Sequence, residues 1–175
     1  MSQQGSDTGN LRQYLPLLLS LLVLILDQLT KLWIVNTIPY GTIGHAFGGD
    51  FLRIIHVQNT GAAFSLGADG SPLFRIIFVL LLPTALIGFL LYTLFRTDEW
   101  TPFQRWLIAG LIGGGLGNLI DRYFRPGGVV DFIDVKFYGL FGLERWPTFN
   151  VADATLVVCA LLLMATILFT GSRET

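Results

Sequence analysis

The chain has 175 residues, of which 53% are hydrophobic and 13% are charged, and its formal net charge is −1. A soluble core of this size cannot bury so much apolar surface, so the composition predicts an integral membrane protein and excludes an ordinary soluble domain. Because the few Lys and Arg residues are scattered, the chain lacks the basic patch that nucleic-acid binding requires, and we expect no nucleic-acid partner.

Four apolar segments approach the roughly 20 residues that a membrane-spanning helix needs. They cover about residues 15–33, 73–95, 106–121 and 151–170. The third segment is short but rich in glycine, which lets membrane helices pack closely. Pro83 is expected to kink the second helix. The sequence thus predicts one integral membrane domain over residues 1–175, all-α in the membrane, with four transmembrane helices and a small β element outside them.

Near the end of the first segment, Asp27 and Lys31 stand four residues apart and so meet on one helix face. Opposite charges at this spacing neutralise each other at a membrane boundary, and we interpret them as a structural ion pair. A direct chemical role is the alternative. No small-x-small cleavage site follows the segment, so we expect a retained helix rather than a removable signal peptide.

Between the first two spans, residues 36–71 contain alternating β-branched residues followed by Asn59-Thr60-Gly61. This pattern favours a small hairpin or curved sheet on the membrane, which we call the β-cradle. Exposed strand edges bind extended peptides, so the cradle would suit a peptide substrate. A plain connecting loop is the alternative.

Four spans would place the β-cradle and a long loop over residues 122–148 on one side of the membrane. Both termini and the short connection between the second and third spans would lie on the other side. Lys and Arg are more numerous on the cradle side, which the positive-inside rule would make cytoplasmic. Some of these cations have carboxylate neighbours in the sequence, so the charge count leaves the orientation open.

Three aspartates lie at the edges of the apolar segments: Asp121, Asp131 and Asp153. A carboxylate in a bilayer costs about 2.5–3.5 kcal/mol, so a chain that keeps several of them usually needs them for its chemistry. With four spans, all three belong to the same side of the membrane. The sequence therefore predicts acid–base chemistry at one membrane surface.

The local sequence separates these aspartates. Asn150 and Asp153 have the spacing of a helix N-cap and the third helical residue, where a carboxylate interacts favourably with the helix dipole. Asp131 lies among apolar residues, where desolvation disfavours its charged form. This contrast suits a dyad in which one carboxylate takes a proton from water and the other polarises a substrate carbonyl. Capping alone could explain Asp153, but it does not explain Asp131.

Asn118 and Asp121 share a helix face, and Arg122 follows directly. We interpret these three residues as a supporting shell that orients the backbone or the substrate. The alternative is that Asp121 is itself a member of the dyad.

Other protein classes fit these residues less well than a pair of carboxylates that activates water. A small ion-coupled transporter, the main alternative, also keeps intramembrane carboxylates but usually has repeated halves, and none is visible. A serine peptidase would use Ser65 with His45 or His56, yet no nucleophile-elbow pattern or orienting acid accompanies them. Two histidines and one cysteine are too few for a zinc site, so we expect neither a metal nor another cofactor.

Five blocks of sequence, in this order, resemble the bacterial lipoprotein signal peptidases, also called signal peptidase II. The blocks are Asp27-Gln28-x-x-Lys31, Asn59-Thr60-Gly61-Ala62-Ala63-Phe64-Ser65, Gly117-Asn118-x-x-Asp121-Arg122, Val129-Val130-Asp131-Phe132 and Phe149-Asn150-x-Ala152-Asp153. The resemblance extends from Asp27 to about Cys159, and five ordered blocks are far more specific than any one of them.

The resemblance implies a membrane aspartic endopeptidase that removes the signal peptide from prolipoproteins carrying diacylglycerol on a cysteine, by cutting just before that cysteine. It implies four transmembrane helices in the bacterial inner membrane, with both termini in the cytoplasm. The β-cradle would be extracytoplasmic and the site would lie near the outer, periplasmic face. Membrane lipids would be partners, and inhibition by globomycin-type peptide antibiotics is expected.

The family's catalytic aspartates fall on Asp131 and Asp153, which agrees with the dyad inferred from the local sequence. Its supporting and substrate-binding residues fall on Asn59, Gly61, Asn118, Asp121, Arg122 and Asn150. Within the same pattern, Asp27 and Lys31 are more consistent with a structural ion pair.

One segment departs from the family pattern, because the stretch from Tyr138 to Arg145 between the two aspartates is longer than expected. Its glycine and aromatic content suits a hinged lid over a lipid-binding cleft. This lid is a hypothesis from composition.

Overall fold

The computed structural model describes residues 14–61 and 71–171. Within these ranges the chain forms four long helices and a three-stranded antiparallel sheet. The helices are α1 (Leu17–Thr37), α2 (Pro72–Arg96), α3 (Pro102–Phe124) and α4 (Val151–Gly171). The strands are β1 (Ile43–Phe47) and β2 (Leu52–Asn59), between α1 and α2, and β3 (Val129–Val135), between α3 and α4.

Three of the described helices, α1, α2 and α4, are long and apolar enough to cross a membrane. Their outer faces expose many leucine, isoleucine and phenylalanine side chains, as contact with lipid requires. α3 has 23 residues but is more polar, since Asn118, Asp121 and Arg122 lie near its end. It packs against all three of the other helices, so the most polar helix occupies the centre of the bundle.

Glycines in α3 allow its neighbours to approach closely. A Cβ atom added to Gly113 would lie 2.7 Å from the backbone oxygen of Ser20 in α1, and one added to Gly114 would lie 2.8 Å from that of Ala152 in α4. The Ser20 hydroxyl also donates to the Ala109 carbonyl at 2.6 Å. These contacts give the glycines the packing role that their spacing predicts.

α3 begins four residues before the predicted start at residue 106 because of a capping box at its N-terminus. The Thr101 hydroxyl accepts from the Gln104 backbone N–H at 3.2 Å, and the Gln104 side chain accepts from the Thr101 N–H at 3.0 Å. Pro102 occupies the first helical position, where its missing N–H costs nothing. Hydropathy alone does not detect this polar start.

The irregularity expected at Pro83 lies in the turns before it, where residues Arg75–Leu81 are π-helical. Proline cannot donate a backbone hydrogen bond, so the preceding turns are free to widen.

The sheet has the strand order β1-β2-β3. β1 and β2 form the predicted hairpin within residues 36–71, and Gly48, Gly49 and Asp50 turn the chain with positive φ angles. The third strand of the β-cradle, β3, comes instead from the connection that we predicted as a loop over residues 122–148. Its pairing with β2 places Asp131 opposite Val57.

Asp134 holds this connection to the cradle. One of its oxygens accepts from Arg53 Nε at 2.7 Å and the other accepts from Arg145 Nε at 2.6 Å. The Arg145 guanidinium also contacts Asp50. The segment from residue 138 to 145 is therefore the tip of an extension of β3, and its last residue is firmly tied to the sheet.

Candidate active site

A buried cation joins two carboxylates at the centre of the helix bundle. Lys31 Nζ lies 2.7 Å from Asp27 Oδ2 and 2.9 Å from Asp121 Oδ2, and all three side chains are inaccessible to solvent. The i to i+4 spacing in α1 places Asp27 beside Lys31, while Asp121 approaches from α3. The cluster therefore fixes α1 against α3.

The remaining oxygens of these carboxylates extend the contacts to other elements. Asp27 Oδ1 accepts from the backbone N–H of Ala152 at 3.0 Å, which ties α1 to the first turn of α4. Asp121 Oδ2 accepts from the N–H of Val130 in β3 at 3.2 Å, and Asp121 Oδ1 accepts from Arg125 at 2.7 Å. Asp121 is thus part of the ion cluster and links that cluster to β3.

Asn150 and Asp153 cap the start of α4 in the predicted way. The Asn150 side-chain oxygen accepts from the Asp153 N–H at 2.9 Å, and Asp153 Oδ2 accepts from the Asn150 N–H at 3.2 Å. This reciprocal pair holds the Asp153 carboxylate at a helix N-terminus, where the helix dipole favours a negative charge.

Two asparagine amides connect the aspartates to the ion cluster. Asn150 Nδ2 donates to Asp131 Oδ1 at 2.7 Å, and Asn118 Nδ2 donates to Asp153 Oδ1 at 2.7 Å. The Asn118 side-chain oxygen accepts from both Asn150 Nδ2, at 3.1 Å, and Lys31 Nζ, at 3.0 Å. One network therefore joins α1, α3, β3 and α4 around the two carboxylates.

Asp131 is 4% exposed, and its surroundings oppose its ionisation. Burial and the nearby Asp153 carboxylate raise the pKa of Asp131 to about 7, while hydrogen bonds from Asn150 and Asn59 and the charge of Lys31 partly offset this rise. Asp131 can thus keep a proton near neutral pH.

A cavity of about 420 Å³ opens beside both aspartates. Its polar wall is formed by Asn59, Asp131 and Asp153, and most of the remaining wall is apolar. That wall continues along α4 through Leu156 and Val157, and Val157 is half exposed on the outer face of the helix. The cavity therefore connects the carboxylates with the surface of an apolar helix.

A family model for Signal peptidase (SPase) II matches residues 19–169, which include every described residue of this network. The chain belongs to the signal peptidase II family. The family predicted from the five sequence blocks is confirmed, and with it the prediction of an aspartic peptidase. Nothing found supports the transporter alternative.

Relatives named lipoprotein signal peptidase share much of this signal peptidase II sequence. The chain is 49% identical to one from Treponema pallidum over 152 residues, which are 87% of this chain and 82% of the relative. It is 45% identical to one from Treponema denticola over 161 residues, 92% of each chain. For one from Borrelia turicatae, the identity is 43% over 154 residues, 88% of this chain and 89% of the relative.

Two solved structures of bacterial membrane enzymes, determined by the in meso method, have a similar fold. The structure at 2.3 Å resolution has a TM-score of 0.77 and 28% identity, and the match covers 100% of this chain and 97% of the other. The structure at 1.9 Å resolution has a TM-score of 0.73 and 28% identity, with 96% and 98% of the chains covered. Together with the apolar helices, these matches identify a membrane protein.

The predicted site residues of the signal peptidase II pattern meet in one place. Asn59 hydrogen-bonds the Asp131 carboxylate, and its own oxygen accepts from the Gly61 N–H at 2.9 Å. Arg122 Nη2 donates to the Gly61 carbonyl at 3.3 Å, so Arg122 holds the chain just after β2, and its positive charge also interacts with Asp153 and Asp131. Asp27 and Lys31 lie one layer away, behind Asn118.

Two parts of the site are not predicted from the sequence. Gln28, although part of the first block, was given no role, and its amide donates to the Gly117 carbonyl at 3.1 Å. Residues 146–149, which form part of the cavity wall, are the second part. In the sequence, they are marked only by their position directly before Asn150.

The histidines of the serine-peptidase alternative lie away from the network. His56 is buried and its Nδ1 contacts the Ile38 carbonyl at 2.8 Å, whereas His45 is exposed and stacks near Trp33. Ser65 lies outside the described residues. Across the described ranges, no group of three or more His, Cys, Asp or Glu side chains could hold a metal ion.

Proposed function

We propose that the chain removes the signal peptide from prolipoproteins by cutting before a diacylglyceryl-modified cysteine, with Asp131 and Asp153 as the catalytic residues. The observation that carries this proposal is the unequal environment of two adjoining carboxylates. Asp153 is held at a helix N-terminus by N–H donors, whereas Asp131 is buried with a raised pKa. Such a contrast assigns opposite roles to two acids.

In this mechanism the ionised Asp153 takes a proton from a water molecule, and the protonated Asp131 donates to the oxygen of the scissile carbonyl. The water oxygen bonds to the carbonyl carbon to give a tetrahedral intermediate. The proton on Asp153 then passes to the leaving nitrogen as the C–N bond breaks, and the carbonyl re-forms as Asp131 recovers its proton. The products are a signal peptide with a free carboxylate and a lipidated cysteine with a free amine.

Positioned acid–base groups supply roughly 10²- to 10⁴-fold of rate enhancement. Substrate orientation and the exclusion of bulk water supply more. In this proposal the amides of Asn118 and Asn150 hold the carboxylates, and Asn59, Gly61 and Arg122 shape the end of β2 where the peptide backbone would bind. Asp121, Asp27 and Lys31 support the site from the interior.

The apolar cavity supports a lipidated substrate. Its wall along α4 would accept the acyl chains of a diacylglyceryl group that enters from the membrane, while the polar end would hold the peptide. The β-cradle would support the extended peptide next to Asp131.

We propose that α3 is a fourth transmembrane helix. Its 23 residues give a length of about 34 Å at 1.5 Å per residue, which is enough to cross a bilayer. Its polar end lies inside the bundle rather than against lipid. The helices would lie in the bacterial inner membrane with both termini cytoplasmic, and the β-cradle and the dyad would lie at the periplasmic face.

The segment from Tyr138 to Arg145 is proposed as a lid over the cleft. Arg145 would serve as its fixed end, and the positive φ angles of Gly139 and Gly142 mark where the tip turns. None of its residues is among those lining the cavity, but Trp146 follows it directly and does line the cavity. Movement of the tip would therefore be transmitted to the cavity wall through Trp146.

The test uses purified full-length protein in lipid vesicles with a prolipoprotein supplied in diacylglyceryl-modified and unmodified forms. The expected product, identified by mass spectrometry, begins at the lipidated cysteine, while the unmodified form stays uncut. Cleavage should persist in chelator and stop with a globomycin-type antibiotic. Equal cleavage of both forms, or a cut at another bond, would contradict the proposed substrate.

A further inference from the structure

A second cavity, of about 300 Å³, lies between α2 and the C-terminal end of α3. Three guanidinium groups line it, from Arg75, Arg122 and Arg125, and none of the described lining residues is acidic. Arg75 lies near the start of α2, whereas Arg122 and Arg125 lie at the end of α3, which runs in the opposite direction. The three cations therefore share one level of the helix bundle.

Much of the hydrogen-bonding capacity of these arginines is unused. Arg122 Nε is buried without a hydrogen-bond partner. Arg125 engages Asp121 through Nε alone. Arg75 is exposed, and its guanidinium forms no hydrogen bond or ion pair with any residue in the described ranges. Guanidinium groups that converge with donors left over favour an anion, and phosphate matches their forked geometry.

Beside the arginines, α2 contributes an apolar wall to this cavity. Ile76, Val79 and Leu80 line it, and Ile76 is half exposed on a helix that is apolar enough to cross a membrane. A free phosphate ion would gain nothing from such a wall, whereas an acyl chain would bury it. Basic pockets between transmembrane helices bind anionic lipid headgroups in this way.

We propose that this cavity binds the phosphate of an anionic glycerophospholipid, with one acyl chain lying along α2. A diacylglyceryl group has no phosphate, so this ligand differs from the proposed substrate and the site goes beyond the proposed function. The two cavities adjoin at the end of β2, because Thr60 lines this one and Asn59 lines the other. Arg122 also holds the Gly61 carbonyl, so a bound lipid would steady the strand end that contacts Asp131.

Native mass spectrometry of the purified full-length protein tests the proposal, with phosphatidylglycerol as the probe and diacylglycerol, which lacks the phosphate, as the comparison. We expect phosphatidylglycerol to bind at least tenfold more tightly than diacylglycerol. Arg75→Gln and Arg125→Gln should each weaken phosphatidylglycerol binding about tenfold, the effect of one charge-assisted hydrogen bond. Arg96→Gln, at the opposite end of the same helix, is the matched control and should bind as the wild type does.

Equal binding by Arg75→Gln, Arg96→Gln and the wild type would overturn the site. Since the Arg75 guanidinium has no hydrogen-bond or ion-pair partner among the described residues, its replacement removes no such contact, and a thermal unfolding curve verifies that the variant folds. Displacement of phosphatidylglycerol by millimolar inorganic phosphate would indicate a free-anion site and contradict the lipid assignment. The experiment measures lipid binding and not peptide cleavage. A failure of the lipid site can therefore be told apart from a failure of the proposed function.

Discussion

Lys31 Nζ lies 3.0 Å from the side-chain oxygen of Asn118, and this contact determines which end of the Asn118 amide faces Asp153. An ammonium group only donates hydrogen bonds, so it holds the amide oxygen and leaves the amide nitrogen to donate to Asp153 Oδ1. A buried ion cluster in α1 and α3 thereby fixes the hydrogen bonding of a carboxylate in α4.

Replacing Lys31 with Met should destabilise the protein by about 3–5 kcal/mol, because Asp27 loses its cation and Asp121 keeps one of its two cations, Arg125. The melting temperature of the purified protein measures this loss. Lys136→Met is the matched control. The Lys136 ammonium lies 5.4 Å from the centroid of the Tyr138 ring, and its replacement should cost less than about 1 kcal/mol. Equal melting temperatures for the two variants would show that the cluster does not hold α1 against α3.

Adding a methyl group to a central glycine should separate the helices. Gly113→Ala and Gly114→Ala bring Cβ within 3 Å of backbone oxygens that cannot move aside, and overpacking of this kind costs about 1–3 kcal/mol. Gly88→Ala in α2 is the control, since its Cβ meets nothing within 4 Å. Lower melting temperatures are expected for the two α3 variants alone, and the same temperature for all three would refute close packing at α3.

The activity should fall as the pH rises through about 7. Burial and Asp153 raise the pKa of Asp131 to about 7, and the proton that the proposed mechanism needs on Asp131 is lost above that value. The pH dependence of kcat/KM reports this loss as its alkaline limb. An activity that stays constant from pH 6 to 9 would contradict the need for a protonated carboxyl.

The same pKa makes a prediction for stability. The folded state keeps the Asp131 proton to about pH 7, whereas an unfolded aspartate loses it near pH 3.9. The folded state therefore binds more protons in this window, and the wild type loses stability as the pH rises from about 4 to 7. Asp131→Asn lacks this titration, so its melting temperature relative to the wild type should rise over the window and then level off. A difference that is independent of pH would rule out the raised pKa.

The sequence predicted the parts of this site that depend on short spacing. The i to i+4 relation of Asp27 and Lys31 and the cap formed by Asn150 and Asp153 are local, and both can be inferred from helix geometry. The environment of Asp131 was also inferred correctly, since its apolar neighbours in sequence are its neighbours in β3.

Long-range contacts could not be predicted in the same way. Asn118 meets Lys31 across 87 positions and Asp153 across 35, and only the packed helix bundle brings them together. The pairing of β3 with β2 is similarly distant, so the sequence alone predicts residues 129–135 as part of a loop. The early start of α3 does have a local signal, the Thr101 and Gln104 capping box, but a search for apolar runs overlooks it.

Deleting Gly139 to Gly142 tests the proposed lid. The deletion removes the tip but keeps Arg145, whose contacts with Asp134 hold the segment to the sheet. We expect a severalfold higher KM for the lipidated substrate with a smaller change in kcat, because a lid retains substrate rather than reacts with it. Leu140→Ala, which keeps the tip, is the control. Unchanged cleavage and unchanged substrate affinity in the deletion variant would exclude a lid.

The most direct test of the two-aspartate mechanism compares cleavage of a diacylglyceryl-modified prolipoprotein by the wild type, Asp131→Asn, Asp153→Asn and Ser65→Ala. Both asparagine variants should fold, as judged by their melting curves, and lose at least about 10²-fold in rate, whereas Ser65→Ala should cut normally. Near-normal cleavage by either asparagine variant, or loss of activity in Ser65→Ala alone, would contradict the mechanism.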